Sequence, residues 1–182
     1  MSMLTIEDIQ RLSGRYPTTY DKNYYDPFID DGRKGDPAAI TQLTRWKNVG
    51  KGGRPMNLSR KKQASLQRLL RGLPRYMASE GNAALRRDFR WRAPVWSIFW
   101  CHVLYGSPIF DRYTYAAWQH LAYERVLTRS EAVITAPDHW DIYDQYRGWF
   151  ITELARLSTE DVTITHRTLD RALFKYGERL LV

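Results

Sequence analysis

The sequence predicts an all-α protein, and three observations predict it. Apolar residues recur every three or four positions through most of the chain. Residues that favour helix starts stand directly before several of these runs. No stretch shows the apolar–polar alternation of a strand ladder. About seven to nine helices are expected, layered around one core.

From the N-terminus, residues 4–12 (LTIEDIQRL) read as a short helix. Residues 14–35 (GRYPTTYDKNYYDPFIDDGRKG) have a loop composition, and their Tyr and Phe side chains predict that they lie against the domain. Residues 1–35 therefore read as an arm packed on a helical domain spanning 36–182. Asp36 is a good N-cap and Pro37 suits the first helical position. Ile40, Leu43 and the Trp46-Lys47 pair follow at helical spacing.

That helix should stop near NVGKGGRP, residues 48–55, a glycine-rich basic loop. It lacks the Gly-Lys-Ser/Thr ending of a nucleotide P-loop. A linker is the plainer reading; a phosphate contact is the functional one.

In residues 58–74 (LSRKKQASLQRLLRGLP), Ser59 is placed to cap a helix whose apolar side is Leu66, Leu69 and Leu70. Gly72 and Pro74 should end it. Residues 79–89 give another short helix. Residues 95–106 (VWSIFWCHVLYG) are apolar nearly all round, the mark of a buried helix; their β-branched residues also allow a strand, but twelve residues ended by Gly106 favour helix. Asp111 then opens the amphipathic run 112–127, Asp138 stands near the start of a long helix, and Thr165 caps a last helix with Leu169, Ala172, Leu173 and Tyr176 on one side.

Charge is segmental. Residues 45–92 hold fourteen Lys or Arg against two acids, while residues 93–182 hold nine against eleven. A phosphate backbone is the commonest partner of such a block; a solvated basic face is the plainer reading. Its candidate nucleic-acid contacts are Lys47, Lys51, Arg54, Arg60, Lys61, Lys62, Arg90 and Arg92. Aromatic residues make up 14% of the chain, so some rings are expected at a surface that binds something flat or apolar.

The single cysteine, Cys101, permits no intrachain disulfide. The N-terminus lacks the basic start and apolar run of a signal peptide, and no segment of about 18 apolar residues is present. A soluble protein of a reducing cytoplasm is expected, with no membrane partner. His102, His120, His139 and His166 form no spaced metal pair, and no metal or other cofactor is expected. His102 reads as a hydrogen-bonded core residue and Cys101 as a small core hydrophobe. Asp138, Asp141 and Asp144 recur as a solvated helix face.

Three stretches in order carry a resemblance: ITQLTRWKN at 40–48, APVWSIFWCHVLYGSPIFDRYTYAAW at 93–118, and THRTLDRALFKYG at 165–177. Together they resemble the helix-hairpin-helix DNA glycosylase superfamily, more narrowly the bacterial proteins with an 8-oxoguanine DNA glycosylase fold. The resemblance covers the chain from about residue 38 onward. It puts Asp111 at the place of the superfamily's essential aspartate. A carboxylate there would stabilise the oxocarbenium character that develops when an N-glycosidic bond breaks, or would activate the attacking water. Ile109 and Phe110 would lower the local dielectric. The plainer reading of Asp111 is an N-cap alone.

Two departures matter. Where bifunctional members carry a lysine nucleophile, about 18 or 19 positions earlier, this chain has Ala93 and Arg92, and arginine forms no Schiff base. Where the family's hairpin reads like Leu-Pro-Gly-Val-Gly, this chain has FRWRAPV at 89–95, so a degenerate hairpin is expected. Trp91 and Trp96 are candidates to stack on an extruded base, and Arg171 and Phe174 match positions near which oxidised-guanine enzymes hold the base; core packing is an equal reading of Trp96 and the plainer one of Phe174.

The implied function is that of a monofunctional DNA glycosylase-like protein that hydrolyses, or recognises, a modified and oxidised-guanine-like base. Proteins of this fold also occur in antiphage systems, which implies defence as a setting. The alternative is an inactive module that binds a nucleobase, a nucleic acid or a base-modified protein. A basic protein-interaction domain is a third reading.

Overall fold

The computed structural model describes residues 3–48, 57–135, 138–158 and 162–181. Among these residues there are ten helices and no strand: the all-α class is as the apolar spacing predicts, and the count exceeds the expected seven to nine, residues 14–35 holding two short helices. The helices are α1 (Ile6–Gly14), α2 (Thr18–Tyr24), α3 (Ile29–Arg33), α4 (Pro37–Lys47), α5 (Arg60–Tyr76), α6 (Gly81–Asp88), α7 (Pro94–Tyr105), α8 (Arg112–Tyr123), α9 (His139–Leu157) and α10 (His166–Leu180). The chain divides into two units: Met1–Tyr16 with Pro108–Val182, and Pro17–Ser107. Residues 1–35, read as one arm, thus give α1 to the first unit and α2 and α3 to the second.

In the first unit, α10 packs against both α1 and α8. Thr5 and Asp8 form a reciprocal capping box at the start of α1. Thr165 caps α10 by accepting the Thr168 N–H at 3.1 Å. Leu169, Ala172 and Leu173 are buried, as their spacing predicts. Gly177 lets α10 approach the start of α8: a β-carbon there would sit 1.9 Å from the Tyr113 carbonyl oxygen.

In the second unit, Asp36 caps α4 by accepting the Ala38 and Ala39 N–H groups, and Pro37 takes the first helical position. α7 is buried along Ser97–Leu104 and ends at Gly106, whose φ of +68° suits glycine. Each large apolar side chain fully withdrawn from water stabilises by roughly 1.5–3 kcal/mol. His102 on this helix is a satisfied core residue. Its Nδ1–H donates to the Ser107 carbonyl at 2.6 Å, so its Nε2 accepts from the Tyr25 hydroxyl at 2.5 Å.

Two element readings need correction. Residues 14–35 are not a loop throughout; they contain α2 and α3. Neither helix has a side-chain N-cap, and tertiary contacts hold the segment instead. The Trp46 indole N–H donates to the buried carboxylate of Asp21 at 3.2 Å, and the Tyr25 ring lies 4.7 Å from that of Trp46. The second correction concerns α5, which runs past Gly72 and Pro74 to Tyr76. Leu73 and Tyr76 continue its buried side. The Tyr76 ring folds back over Gly72, where a β-carbon would meet it at 2.4 Å. Gly72 makes room for a ring and does not end the helix.

Candidate functional site

The candidate residues fall in both units, and each unit holds its share in a distinct arrangement. In the second unit, α5 and the turn between α6 and α7 border a groove of ≈ 790 Å³. Lys61, Lys62, Arg68, Arg71 and Arg92 supply its cations. Phe89, Trp91 and Trp96 supply its rings, and no Asp or Glu is among the described residues that line it.

Local structure explains how these groups converge. Ser59 caps α5, and Arg60, Lys61 and Lys62 occupy its first turn with no acid beside them. Positive charge at a helix N-terminus opposes the helix dipole. An anion held there would meet both the cations and the amides of that end. Lys62 lies with its ammonium 5.3 Å from the centre of the Trp96 ring and also donates to Asn48 Oδ1. Arg68 stands 5.9 Å from the ring centre of the buried Phe89. Trp91 is 61% exposed, with the Arg90 guanidinium 5.0 Å from its ring centre. A large ring left this open loses much of its hydrophobic stabilisation, which a bound flat partner would restore.

The turn from α6 into α7 is strained. Ala93 has φ +46° and ψ +53°, a left-handed conformation that costs a non-glycine residue roughly 1–2 kcal/mol. It also precedes Pro94, whose ring disfavours helical conformations at the residue before it. This strained residue lies on the wall of the groove itself.

Of the predicted nucleic-acid contacts, Lys61, Lys62 and Arg92 line the groove, and Arg60 and Arg90 are exposed at its borders. Lys47 is half-buried, its ammonium 5.8 Å from the Phe99 ring centre. Lys51 and Arg54, with most of the glycine-rich loop, lie outside the described residues. Sequence reasoning does not single out Arg68 and Arg71. Their spacing from Lys61, seven and ten positions, is the available signal for one shared helix face.

In the first unit, Asp111 is the N-cap of α8. Its Oδ1 accepts the Tyr113 N–H at 3.0 Å and the Thr114 N–H at 3.2 Å. Its own N–H donates to the Thr114 hydroxyl at 2.9 Å, which completes a capping box. The carboxylate is half-buried, directly after the buried Ile109 and Phe110. Three groups fix this turn. The Tyr143 hydroxyl donates to the Pro108 carbonyl at 3.0 Å, and the Tyr146 hydroxyl to the Ile109 carbonyl at 3.2 Å. The buried Asp170 accepts the Ile109 N–H at 3.2 Å. Burial holds the Tyr146 phenol well above its ordinary pKa, and the charge of Asp170 adds to the effect.

Sequence reasoning does not find Asp170 as a support for this turn; its signal is an acid set among Leu169, Ala172 and Leu173. Arg171 and Phe174, one helix turn apart on α10, come together at Tyr16. The Arg171 guanidinium lies 5.6 Å from the Tyr16 ring centre, and Phe174 meets Tyr16 and Tyr113 edge-on at 5.6 and 4.8 Å. These are the contacts of a packed aromatic cluster.

Among the described residues, no group of three or more His, Cys, Asp or Glu is placed to hold a metal ion. Nor is any helix there long and apolar enough to cross a membrane. Comparison of the chain with protein-family models, curated proteins and solved structures returns no match.

Proposed function

We propose that the protein binds nucleic acid through the groove beside α5 and engages a base within the bound chain. One observation carries this reading: five cations and three aromatic rings line a single groove in which no described carboxylate opposes them. Cations answer phosphates, and each phosphate contact releases a condensed counterion. Trp91, the exposed ring of the three, answers a base, which stacks on it in any sequence. The charge of the two units agrees with this division. Pro17–Ser107 has seventeen Lys and Arg against seven acids, while the remaining segments have eleven against thirteen. Direct binding of labelled oligonucleotides tests it: Lys61→Ala with Arg68→Ala should weaken binding at least tenfold, since each phosphate left unpaired costs about 1 kcal/mol or more. Affinity that survives this double change would reject the groove.

For chemistry as well as binding, the support is the resemblance of the sequence. Asp111, which the family resemblance puts at the place of the essential aspartate, is held in one orientation at a helix start, its Oδ1 accepting two amide N–H groups as an N-cap does. In this reading the protein is a glycosylase-like hydrolase that uses water, because Arg92 and Ala93 stand where a lysine nucleophile would be expected from the family resemblance. Incubation with oligonucleotides carrying oxidised and otherwise altered bases tests it. Wild type should leave abasic sites and Asp111→Asn should not. Release that survives the substitution ends the mechanism. Tight binding with no release from any substrate supports the alternative of a base-recognising module.

A further inference from the structure

We infer that the strand held in this groove is single, with its phosphates along one face of α5 and a base laid on Trp91; the inference rests on the nucleic-acid reading above. Lys61, Arg68, Arg71 and Arg75 follow one another at spacings of seven, three and four, so they share one face of the helix. All four are exposed, while Leu66, Leu69, Leu73 and Tyr76 are buried on the other side. From Lys61 to Arg71 the row spans about 15 Å at the rise of an α-helix, enough to follow about two or three successive phosphates of an extended strand.

The row is continuous as a surface. A second concavity of ≈ 470 Å³ lies along α5 and shares Arg68 and Arg71 with the first. Its far end is closed to phosphate, because Asp88 lines it, paired with Arg75 and accepting the Tyr76 hydroxyl at 2.6 Å. The path for an anionic strand therefore runs from Lys61 to Arg71.

The aromatic half of the groove selects the strand state. A duplex hides the faces of its bases in the stack and offers only their edges. A single strand presents a ring face at every nucleotide. Trp91 is 61% exposed and carries Arg90 over its ring, a platform whose natural partner is a ring face. Such a platform gains nothing from the outside of an intact duplex.

The test is fluorescence anisotropy with labelled oligodeoxythymidylate and oligouridylate of about twelve nucleotides and a mixed-sequence duplex of equal length. Wild type, Trp91→Ala and Trp91→Phe are compared, with tryptophan quenching recorded in parallel. The single strands should bind about tenfold or more tightly than the duplex and quench tryptophan emission. Trp91→Ala should weaken single-strand binding by about tenfold while changing duplex binding less than about twofold, and Trp91→Phe should restore most of the loss. Duplex bound as tightly as single strand, or single-strand binding indifferent to Trp91→Ala, overturns the inference and leaves the broader reading standing. Binding of neither form overturns both. Trp91 is exposed, so the substitution leaves the core untouched.

Discussion

The Lys62 ammonium lies 5.3 Å from the centre of the Trp96 ring, on the wall of a groove lined by four further cations. The contact orders a flexible side chain and keeps a half-buried ring facing the groove. Replacing Lys62 with Met keeps the length and loses the charge. Lys62→Met loses this contact, worth about 0.5–1 kcal/mol, and also the hydrogen bond to Asn48 Oδ1, so it should cost about 1–3 kcal/mol of stability and should weaken oligonucleotide binding. Calorimetry and titration on the same preparation check both halves.

Ala93 holds a left-handed conformation before a proline. Ala93→Gly relieves the strain but raises the entropy of the unfolded chain. The balance should stabilise the protein by about 0.5–1 kcal/mol, seen as a higher denaturant midpoint. Because Ala93 lines the groove, oligonucleotide affinity should fall as the turn loosens. Lower stability would show that the turn is not strained.

Asp111 separates two roles by two substitutions. Asp111→Ala removes the cap and should cost about 1 kcal/mol of stability. Asparagine caps nearly as well as aspartate, so Asp111→Asn should keep the unfolding midpoint while removing the charge. Loss of base release in this variant at unchanged stability would assign the chemistry to the carboxylate and not to the cap.

Asp170 supports the same turn through the Ile109 amide. Asp170→Ala leaves that amide without its acceptor and should cost about 1–3 kcal/mol; Asp170→Asn retains an acceptor oxygen and should cost less. Equal losses for the two variants would mean that the hydrogen bond does not hold the turn.

Stability should fall at alkaline pH. Burial raises the pKa of Tyr146 in the folded protein, so above about pH 10 the unfolded chain binds fewer protons than the folded one. The stability Tyr146 contributes is complete below that pH and is lost above it, at up to about 1.4 kcal/mol per pH unit. Tyr76 and Tyr105 are raised by burial too and act in the same direction. Tyr146→Phe should flatten the decline, as denaturant midpoints between about pH 9 and 11 would record. A decline unchanged in this variant would place its cause elsewhere.

Much of the fold is legible in the sequence where one residue does one local job. Asp36, Ser59, Asp111 and Thr165 cap the helices they precede, and the unbroken apolar run of α7 marks a buried helix. The rest depends on partners far along the chain. α2 and α3 are 7 and 5 residues long and lack side-chain caps, so their formation rests on contacts such as Asp21 with Trp46. Gly72 and Pro74 read as a stop because the Tyr76 ring that covers Gly72 cannot be foreseen from composition. For the candidate site, the charge count locates the basic block. It does not reveal that Trp91 faces outward, nor that Asp170 sits behind Ile109.

The most direct measurement is the salt dependence of oligonucleotide affinity for wild type and for Arg68→Ala with Arg71→Ala. The logarithm of the binding constant should fall linearly with the logarithm of salt concentration. The double variant should bind more weakly, with a slope reduced by about 0.7–0.9 for each phosphate that no longer meets a cation. An affinity indifferent to salt, or a slope that the two substitutions leave unchanged, would contradict a phosphate-binding groove on α5.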